Sequence, residues 1–231
     1  DFGRGCPVDW NPKEKRYNWE LVFCELYAGG KYKNDEGENY EYSLGLNGLG
    51  SCATQYASEY MDVTVWRDGK KYELSFKKGK VVGKKGQELK ISEADRKKTG
   101  TTIRWKPDLD VFTDIDIPEE YFRDILHRQS VVNAGITFRF RNQNGSKFDV
   151  TDYVYENGII DYVKEIAHEK PLTMPYFISA ERRGRDREDK PEYKVRMTAA
   201  FCFSNRVNAL EYYHNSSWLE HGGSPEKAVR L

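Results

Sequence analysis

The order of hydrophobic and polar positions along the chain predicts a succession of helices and strands. Apolar residues from Trp19 to Tyr27 recur at the spacing of a largely buried helix, and the small residues at 51–57 fit a second helix. Apolar and polar residues alternate over 61–67 and again over 70–76, with the strong turn signal Asp68-Gly69 between them. These two stretches are therefore predicted to form a β-hairpin.

The second half of the chain continues in the same manner, and its character changes near residue 170. The pattern predicts strands at 101–105 and 135–141, helices at 118–129 and 161–168, and a long hairpin formed by 176–182 and 193–203. Pro171 closes the last of these helices, and Gly222-Gly223-Ser224-Pro225 begins a further one. The layout is α+β, with two domains predicted at 1–170 and 171–231.

Composition indicates a folded protein without a strong bulk charge. Hydrophobic residues make up 38% and aromatic residues 14% of the 231 positions, too many for a disordered chain, and no apolar run is long enough to span a membrane. The 37 basic and 37 acidic residues cancel, so any contact with nucleic acid must be local. The four cysteines are scattered without metal-ligand spacing, and the chain opens without the features of a signal peptide. We therefore expect reduced thiols in a cytoplasmic protein.

Two glycine-bearing segments each have a ligand-binding interpretation and a plain structural one. In Asp1-Phe2-Gly3-Arg4-Gly5 the carboxylate could accept a hydrogen bond from an exocyclic amine such as that of adenine, while the glycines let a flat base approach the backbone. The alternative is a β-turn with a solvated Asp1. Ala28-Gly29-Gly30-Lys31-Tyr32 could likewise be only the end of a helix, where glycine is common.

A third segment, Gly45-Leu46-Asn47-Gly48-Leu49-Gly50, lies at the predicted start of the helix at 51–57. Backbone N–H groups without obstructing side chains can converge on a phosphate there, at the positive end of the helix dipole. The segment has no Gly-Lys-Ser/Thr, and its glycine spacing is not G-x-G-x-x-G. Both a P-loop and a Rossmann site are thereby excluded.

Taken in order, and with Thr99-Gly100-Thr101 following the hairpin, these segments resemble the Bergerat ATP-binding fold of gyrase, heat-shock chaperones, histidine kinases and mismatch-repair ATPases. Within that superfamily the chain is most similar to the B subunits of type II DNA topoisomerases, DNA gyrase and topoisomerase IV. The runs that carry this resemblance are 1–8, 26–32, 45–58 and 98–104, and the later stretch from Asn205 to Gly222-Gly223-Ser224. The resemblance implies a Bergerat-type sandwich, a mixed sheet with helices on one face, followed by the start of a transducer domain.

Carried over residue by residue, the resemblance implies one ATP site. Asp1 would bind the adenine amino group, Thr101 would support the base through its hydroxyl, and the glycine segments would enclose the ribose and triphosphate. The implied ATP-binding residues are Asp1, Gly3, Gly5, Pro7, Gly29, Gly30, Lys31, Tyr32, Gly45, Leu46, Asn47, Gly48, Leu49, Gly50 and Thr101. Arg4 and Arg67 would lie at the pocket rim, where gyrase inhibitors bind. Asn47 departs from the family pattern, which usually has histidine there.

The resemblance also implies what the whole protein does. It would bind ATP and Mg²⁺, dimerise on ATP binding, work with the topoisomerase A subunit, and couple ATP hydrolysis to DNA strand passage. The glutamate that activates water and the asparagine that ligates Mg²⁺ would precede Asp1, and the phosphate-sensing lysine would follow Leu231. No catalytic or metal-binding residue is therefore expected in this chain, and alone it should hydrolyse ATP poorly.

Two other functions stay open from the sequence. Another Bergerat ATPase, of the mismatch-repair or chaperone type, should lack Ala28-Gly29-Gly30-Lys31-Tyr32, and a non-catalytic nucleotide-binding dimerisation module would use ATP only as a ligand. His127, His168, His214 and His221 have no metal-ligand spacing and are expected to be surface or capping residues. The basic stretch at 181–187 is interleaved with acids, which favours a solvated hairpin tip over a DNA contact.

Overall fold

A computed structural model describes residues 1–28, 48–168, 171–185, 187–189 and 192–230. The chain divides into two compact units, Asp1–Asp116 and Ile117–Leu231. This division differs from the predicted boundary near residue 170, which separates an ATP-binding region from a transducer and stays a prediction. No helix in the described ranges is long and apolar enough to cross a membrane.

The first unit is built around a five-stranded sheet with two helices. Its elements are β1 (Trp10–Asn11), β2 (Arg16–Tyr17), α1 (Asn18–Cys24), α2 (Gly50–Tyr56), β3 (Ser58–Arg67), β4 (Lys70–Lys77), β5 (Lys80–Val81), β6 (Lys90–Glu93) and β7 (Gly100–Pro107). The sheet order is β5-β4-β3-β7, and β6 also pairs with β4. The pairings within this sheet are antiparallel. β1 and β2 form a separate short hairpin.

The predicted hairpin forms the centre of the sheet. Asp68 and Gly69 both have positive φ, at 55° and 75°, which gives the tight turn whose twist matches that of the flanking strands. The turn sets the register, so that Val65 lies opposite Tyr72 and Val63 opposite Leu74, all four buried on one face. One face of the hairpin therefore belongs to the core, and the other carries mostly polar side chains together with Tyr60 and Trp66.

Helix α1 covers the apolar face of this sheet. Trp19 and Phe23 of α1 pack against Phe76 of β4, with ring centroids 6.1 and 5.8 Å apart. Burial of such large aromatic side chains contributes strongly to the stability of the core. The arrangement of strands with a helix on one face confirms the predicted α+β class.

The second unit consists of short hairpins packed with helices. Its elements are α3 (Glu119–Val132), β8 (Phe138–Asn144), β9 (Lys147–Tyr153), α4 (Ile159–Ala167), β10 (Tyr176–Gly184), β11 (Tyr193–Phe201), β12 (Tyr213–His214), β13 (Ser217–Trp218) and α5 (Gly223–Arg230). Phe122 of α3 stacks on Phe140 of β8 at 6.2 Å, which fixes the helix against the β8–β9 hairpin. The long hairpin of β10 and β11 and the late helix α5 confirm the predicted elements.

Two of the four histidines can be compared with their predicted surface or capping roles. His168 forms the end of α4, at φ 57°, as a capping residue should. His127 differs from the predicted surface or capping role. It is half-buried, its Nε2 lies 2.9 Å from the Tyr155 hydroxyl, and its ring contacts the rings of Tyr153 and Tyr162. The sequence pattern does not indicate these contacts, because the tyrosines that surround His127 lie far from it along the chain.

The basic stretch at the tip of the β10–β11 hairpin is solvated, as predicted. Arg182, Arg183 and Arg185 are exposed. Arg185 pairs with Glu192 at 2.8 Å, and Glu181 pairs with Lys194 at 3.2 Å. These ion pairs compensate part of the positive charge at the tip.

Candidate functional site

The turn at the start of the chain docks onto the first residues of β7. The Asp1 backbone nitrogen donates a hydrogen bond to the Thr101 carbonyl oxygen at 2.9 Å. In return the Thr101 N–H donates to Asp1 Oδ1 at 3.2 Å, and the Gly3 N–H donates to the same oxygen at 2.9 Å. Two backbone donors thus hold one oxygen of an exposed carboxylate. In the described part of the chain, the second oxygen, Oδ2, accepts no hydrogen bond.

The Thr101 side chain extends this docking. Its Oγ1 accepts a hydrogen bond from the Cys6 N–H at 2.9 Å. Thr101 therefore binds both ends of the turn, Asp1 through its backbone and Cys6 through its side chain. A hydroxyl that accepts one bond keeps its own proton for a further acceptor. Asp1 and Thr101 therefore present a free acceptor and a free donor side by side.

Two glycines make this close approach possible. Gly5 has φ +85°, and a β-carbon on it would lie 2.7 Å from the Trp66 carbonyl oxygen and 3.0 Å from Arg67 Cβ. Gly100 has φ +140°, and a β-carbon on it would overlap the carbonyl oxygen of Asp1. Only glycine fits both the backbone angle and the available space. The resemblance implies a role for Gly5, whereas the packing role of Gly100 follows only from the position of Asp1 in the structure.

Arg67 lies at the edge of this site. Its Nε donates to Asp68 Oδ2 at 3.1 Å, and its Nη1 lies 3.9 Å from Asp9 Oδ1. Burial by itself would lower the pKa of Arg67, but the hydrogen bond to Asp68 and the charge of Asp9 outweigh it and raise the pKa. The guanidinium is therefore a fixed positive charge, with a side chain 24% exposed.

Cys6 forms the inner side of the turn. Burial raises the pKa of its thiol to about 11, although the nearby Arg67 acts in the opposite direction. A thiol with such a pKa stays protonated and weakly nucleophilic at neutral pH. Cys6 therefore serves packing, and Cys6, Cys24, Cys52 and Cys202 are all free, in agreement with the predicted reduced thiols.

The predicted phosphate segment is described only at its end. Gly48 has φ +65°, and Gly50 is the first residue of α2, so this glycine sequence does precede a helix, as predicted. Gly29, Gly30, Lys31, Tyr32, Gly45, Leu46 and Asn47 lie outside the described residues.

The structure brings together part of the predicted set. Asp1, Gly3, Gly5 and Thr101 meet at the docked turn, and Arg67 packs beside Gly5. Pro7 is half-buried in the same segment, and Arg4 is exposed at its surface. That these residues bind ATP stays a prediction.

The comparisons with known proteins concern the whole chain. No protein-family model matches it. The DNA gyrase B protein of Mycoplasmoides gallisepticum is 31% identical over 233 residues, which covers 100% of this chain and 35% of that protein. The DNA topoisomerase 4 B protein of Haemophilus influenzae is 33% identical over 166 residues, 71% of this chain and 25% of that protein. The chain spans about a third of the length of the curated relatives it matches.

A solved structure agrees with these relatives. The 43K ATPase domain of Thermus thermophilus gyrase B, in complex with an aminocoumarin, superposes with a TM-score of 0.57 at 27% identity. The match covers 81% of this chain and 44% of that one. By sequence and by fold, the chain belongs to the family of DNA gyrase and DNA topoisomerase IV B subunits, and it corresponds to part of their ATPase region.

Proposed function

We propose that this chain binds ATP as part of the ATPase region of a type II topoisomerase B subunit, and that Asp1 and Thr101 recognise adenine. The observation that carries the proposal is that Asp1 Oδ1 accepts hydrogen bonds from the N–H groups of both Gly3 and Thr101. Because these two donors orient the carboxylate, its remaining oxygen is available to accept a hydrogen bond from the adenine amino group.

The rest of the adenine contact would come from Thr101 of β7 and from the docked turn. The Thr101 hydroxyl can donate to a ring nitrogen, since its acceptor side is already bound to Cys6. Gly3 leaves no side chain above the carboxylate, so a flat base can approach the backbone closely. Pro7 shapes the inner end of the pocket, and the charged Arg4 and Arg67 form its rim, where we propose that inhibitors of the gyrase class bind.

The phosphates would bind at the start of α2. Gly48, Leu49 and Gly50 have backbone N–H groups at or before its first turn, where no capping side chain competes for them. We propose that Gly29, Gly30, Lys31, Tyr32, Gly45, Leu46 and Asn47 complete this side. In the described ranges no group of three or more His, Cys, Asp or Glu side chains is placed to hold a metal ion. We propose that Mg²⁺ binds together with the phosphates of ATP.

At the level of the whole protein, the proposal is a cytoplasmic ATP-hydrolysing topoisomerase component. It would dimerise on ATP binding and act with the A subunit on DNA. The partners and the hydrolysis are proposed by analogy with the full-length relatives, of which the chain covers about a third.

Calorimetric titration of a non-hydrolysable ATP analogue tests the assignment of Asp1. In Asp1→Asn the amide oxygen can still accept from Gly3 and Thr101, but the amide NH₂ now meets the adenine amino group donor to donor. We expect the affinity for the ATP analogue to fall about tenfold or more. The affinity for the matching GTP analogue, which has an oxygen in place of the amino group, should fall less. Equal affinity of wild type and Asp1→Asn for the ATP analogue would refute the role of Asp1.

A further inference from the structure

The basic residues of this electrically neutral chain are unevenly distributed. Between Lys70 and Lys98 there are eleven lysines and arginines and only four acids, so these 29 residues carry a net charge of +7 and the remainder carries −7. The segment contains β4, β5 and β6 and the loops that follow them. A charge this concentrated creates a local field even though the whole chain has none.

Many of these basic side chains lie on the outer face of the sheet, opposite the core. In β4, Tyr72, Leu74 and Phe76 are buried, so the alternate positions, which include Lys71 and Lys77 at the two ends of this run, point to the opposite side. Residues paired across strands point the same way, which places Lys80 beside Lys77, and Lys90 beside Glu73, on that outer side. By the same register Arg104 and Lys106 of β7 lie there too, opposite Asp62 and Tyr60.

We call this surface the cationic face. Its members are Lys71, Lys77, Lys80, Lys90, Lys98, Arg104 and Lys106. All belong to the first unit. Lys98 joins it because its Nζ lies 4.1 Å from the centre of the Trp66 ring, and Trp66 pairs with Lys71 on the outer side.

The acids near this face are already engaged. Glu73 pairs with Lys71 at 2.7 Å, Glu59 pairs with Lys106 at 2.6 Å, and Asp62 accepts a hydrogen bond from the Ser75 hydroxyl at 2.7 Å. Lys77, Lys80 and Lys90 are exposed, and within the described ranges they make no ion pair. Lys77 and Lys80 lie directly opposite each other, an arrangement of like charges that destabilises a sheet. An external polyanion would relieve this repulsion.

We propose that the cationic face binds the phosphate backbone of duplex DNA. The choice of DNA over another polyanion rests on the proposed function. The duplex is favoured over a single strand because the two aromatic rings on this face are covered by cations. Arg104 lies 5.7 Å from the Tyr60 ring, and Lys98 lies over Trp66. Single-strand binding proteins need such rings free to stack on bases, whereas a duplex needs only positioned charges.

Fluorescence anisotropy with a labelled duplex of about 20 base pairs tests the proposal. The variant is Lys77→Glu/Lys80→Glu/Lys90→Glu. The matched control is Lys13→Glu/Lys147→Glu/Lys227→Glu, which changes the net charge equally at exposed lysines elsewhere. We expect the first triple to lose roughly tenfold or more in affinity at low salt, and its salt dependence to decrease by about 2.7 in the log–log slope, the value for three phosphate contacts. The control should bind nearly as well as wild type.

A further variant and further ligands distinguish duplex binding from the alternatives. The neutral triple Lys77→Gln/Lys80→Gln/Lys90→Gln should also lose affinity, and it replaces the first triple if charge reversal prevents folding. Equal losses in the variant and control triples, tighter binding to a single strand, or binding to phosphatidylserine vesicles in place of DNA would each overturn the proposal. The ATP analogue should bind the variant triple as it binds wild type, and Asp1→Asn should keep its DNA affinity. Failure of nucleotide binding alone would therefore count only against the proposed function.

Discussion

The backbone of Gly100 passes so close to the carbonyl oxygen of Asp1 that no β-carbon fits between them. This contact joins residues 99 positions apart in the chain, and it places the Asp1 carboxylate beside Thr101. The candidate adenine site therefore depends on a backbone packing contact as much as on its polar groups.

Replacing Gly100 by alanine should damage both stability and nucleotide binding. The backbone angle φ of +140° is strained for alanine, and the methyl group would displace Asp1. We expect the free energy of unfolding to fall by about 3 kcal/mol, measured by urea denaturation with tryptophan fluorescence. Gly86→Ala is the control, because Gly86 also has positive φ but its β-carbon would meet open space. It should cost only about 1 kcal/mol, and equal costs would show that the Asp1 contact contributes nothing.

The Thr101 hydroxyl offers a second test of the docked turn. Thr101→Val keeps the shape of the side chain but leaves the Cys6 N–H without its acceptor. An unpaired, partly buried N–H costs about 1–2 kcal/mol. Thr101→Ser restores the acceptor and should recover most of the loss in thermal denaturation. If the valine variant is as stable as wild type, the Cys6 hydrogen bond does not hold the turn.

Much of this site could be predicted from sequence because its signals are local. The turn Asp68-Gly69 and the alternation on both sides of it specify the central hairpin, and the glycines before α2 specify a helix start. The role of Gly100 could not be predicted in this way, since it depends on where Asp1 lies in three dimensions. Sequence resemblance supplied the pairing of Asp1 with Thr101, and periodicity alone would not have done so.

The elements that the pattern missed are short or polar. β5 has two residues and β6 reads Lys-Ile-Ser-Glu with all four exposed, so neither has a buried face to produce alternation. Helix α1 ends at Cys24, earlier than the apolar run suggested, because Glu25 is extended and Tyr27 has φ +61°. The apolar residues after Cys24 therefore belong to the following turn.

Two leucines of that run test the observed end of α1. Leu21 is fully buried, whereas Leu26 is 52% exposed. Leu21→Ala should lower the free energy of unfolding by about 2–5 kcal/mol, because it removes a core side chain and leaves a cavity. Leu26→Ala should cost under about 1 kcal/mol. Urea denaturation of both variants provides the comparison, and similar losses would mean that Leu26 belongs to the core after all.

The pKa of Cys6 predicts a loss of stability at high pH. Burial raises this pKa from 9.0 to about 11, so the unfolded thiol ionises first as the pH rises. The folded state keeps its full advantage below about pH 9 and loses up to about 2.7 kcal/mol by pH 11. Cys6→Ala should abolish this component, so unfolding free energies of wild type and variant should converge or cross between about pH 8.5 and 10.5. Parallel curves over that range would show that the thiol is not buried as described.

The second unit has its own test in Tyr155, a residue 8% exposed between α3 and α4. Its hydroxyl donates to Glu165 Oε2 at 2.9 Å and lies at the same distance from His127 Nε2, so one oxygen serves two side chains. Tyr155→Phe keeps the ring in place among its aromatic neighbours but leaves both polar partners without this bond. Unpaired groups of this kind cost about 1–3 kcal/mol, and the loss should appear in thermal denaturation. Tyr121→Phe is the matched control, since Tyr121 is 63% exposed and should lose almost nothing. If the two variants lose equally little stability, the Tyr155 hydroxyl does not hold His127 and Glu165 together. The packing of the Tyr155 ring would then account for its role.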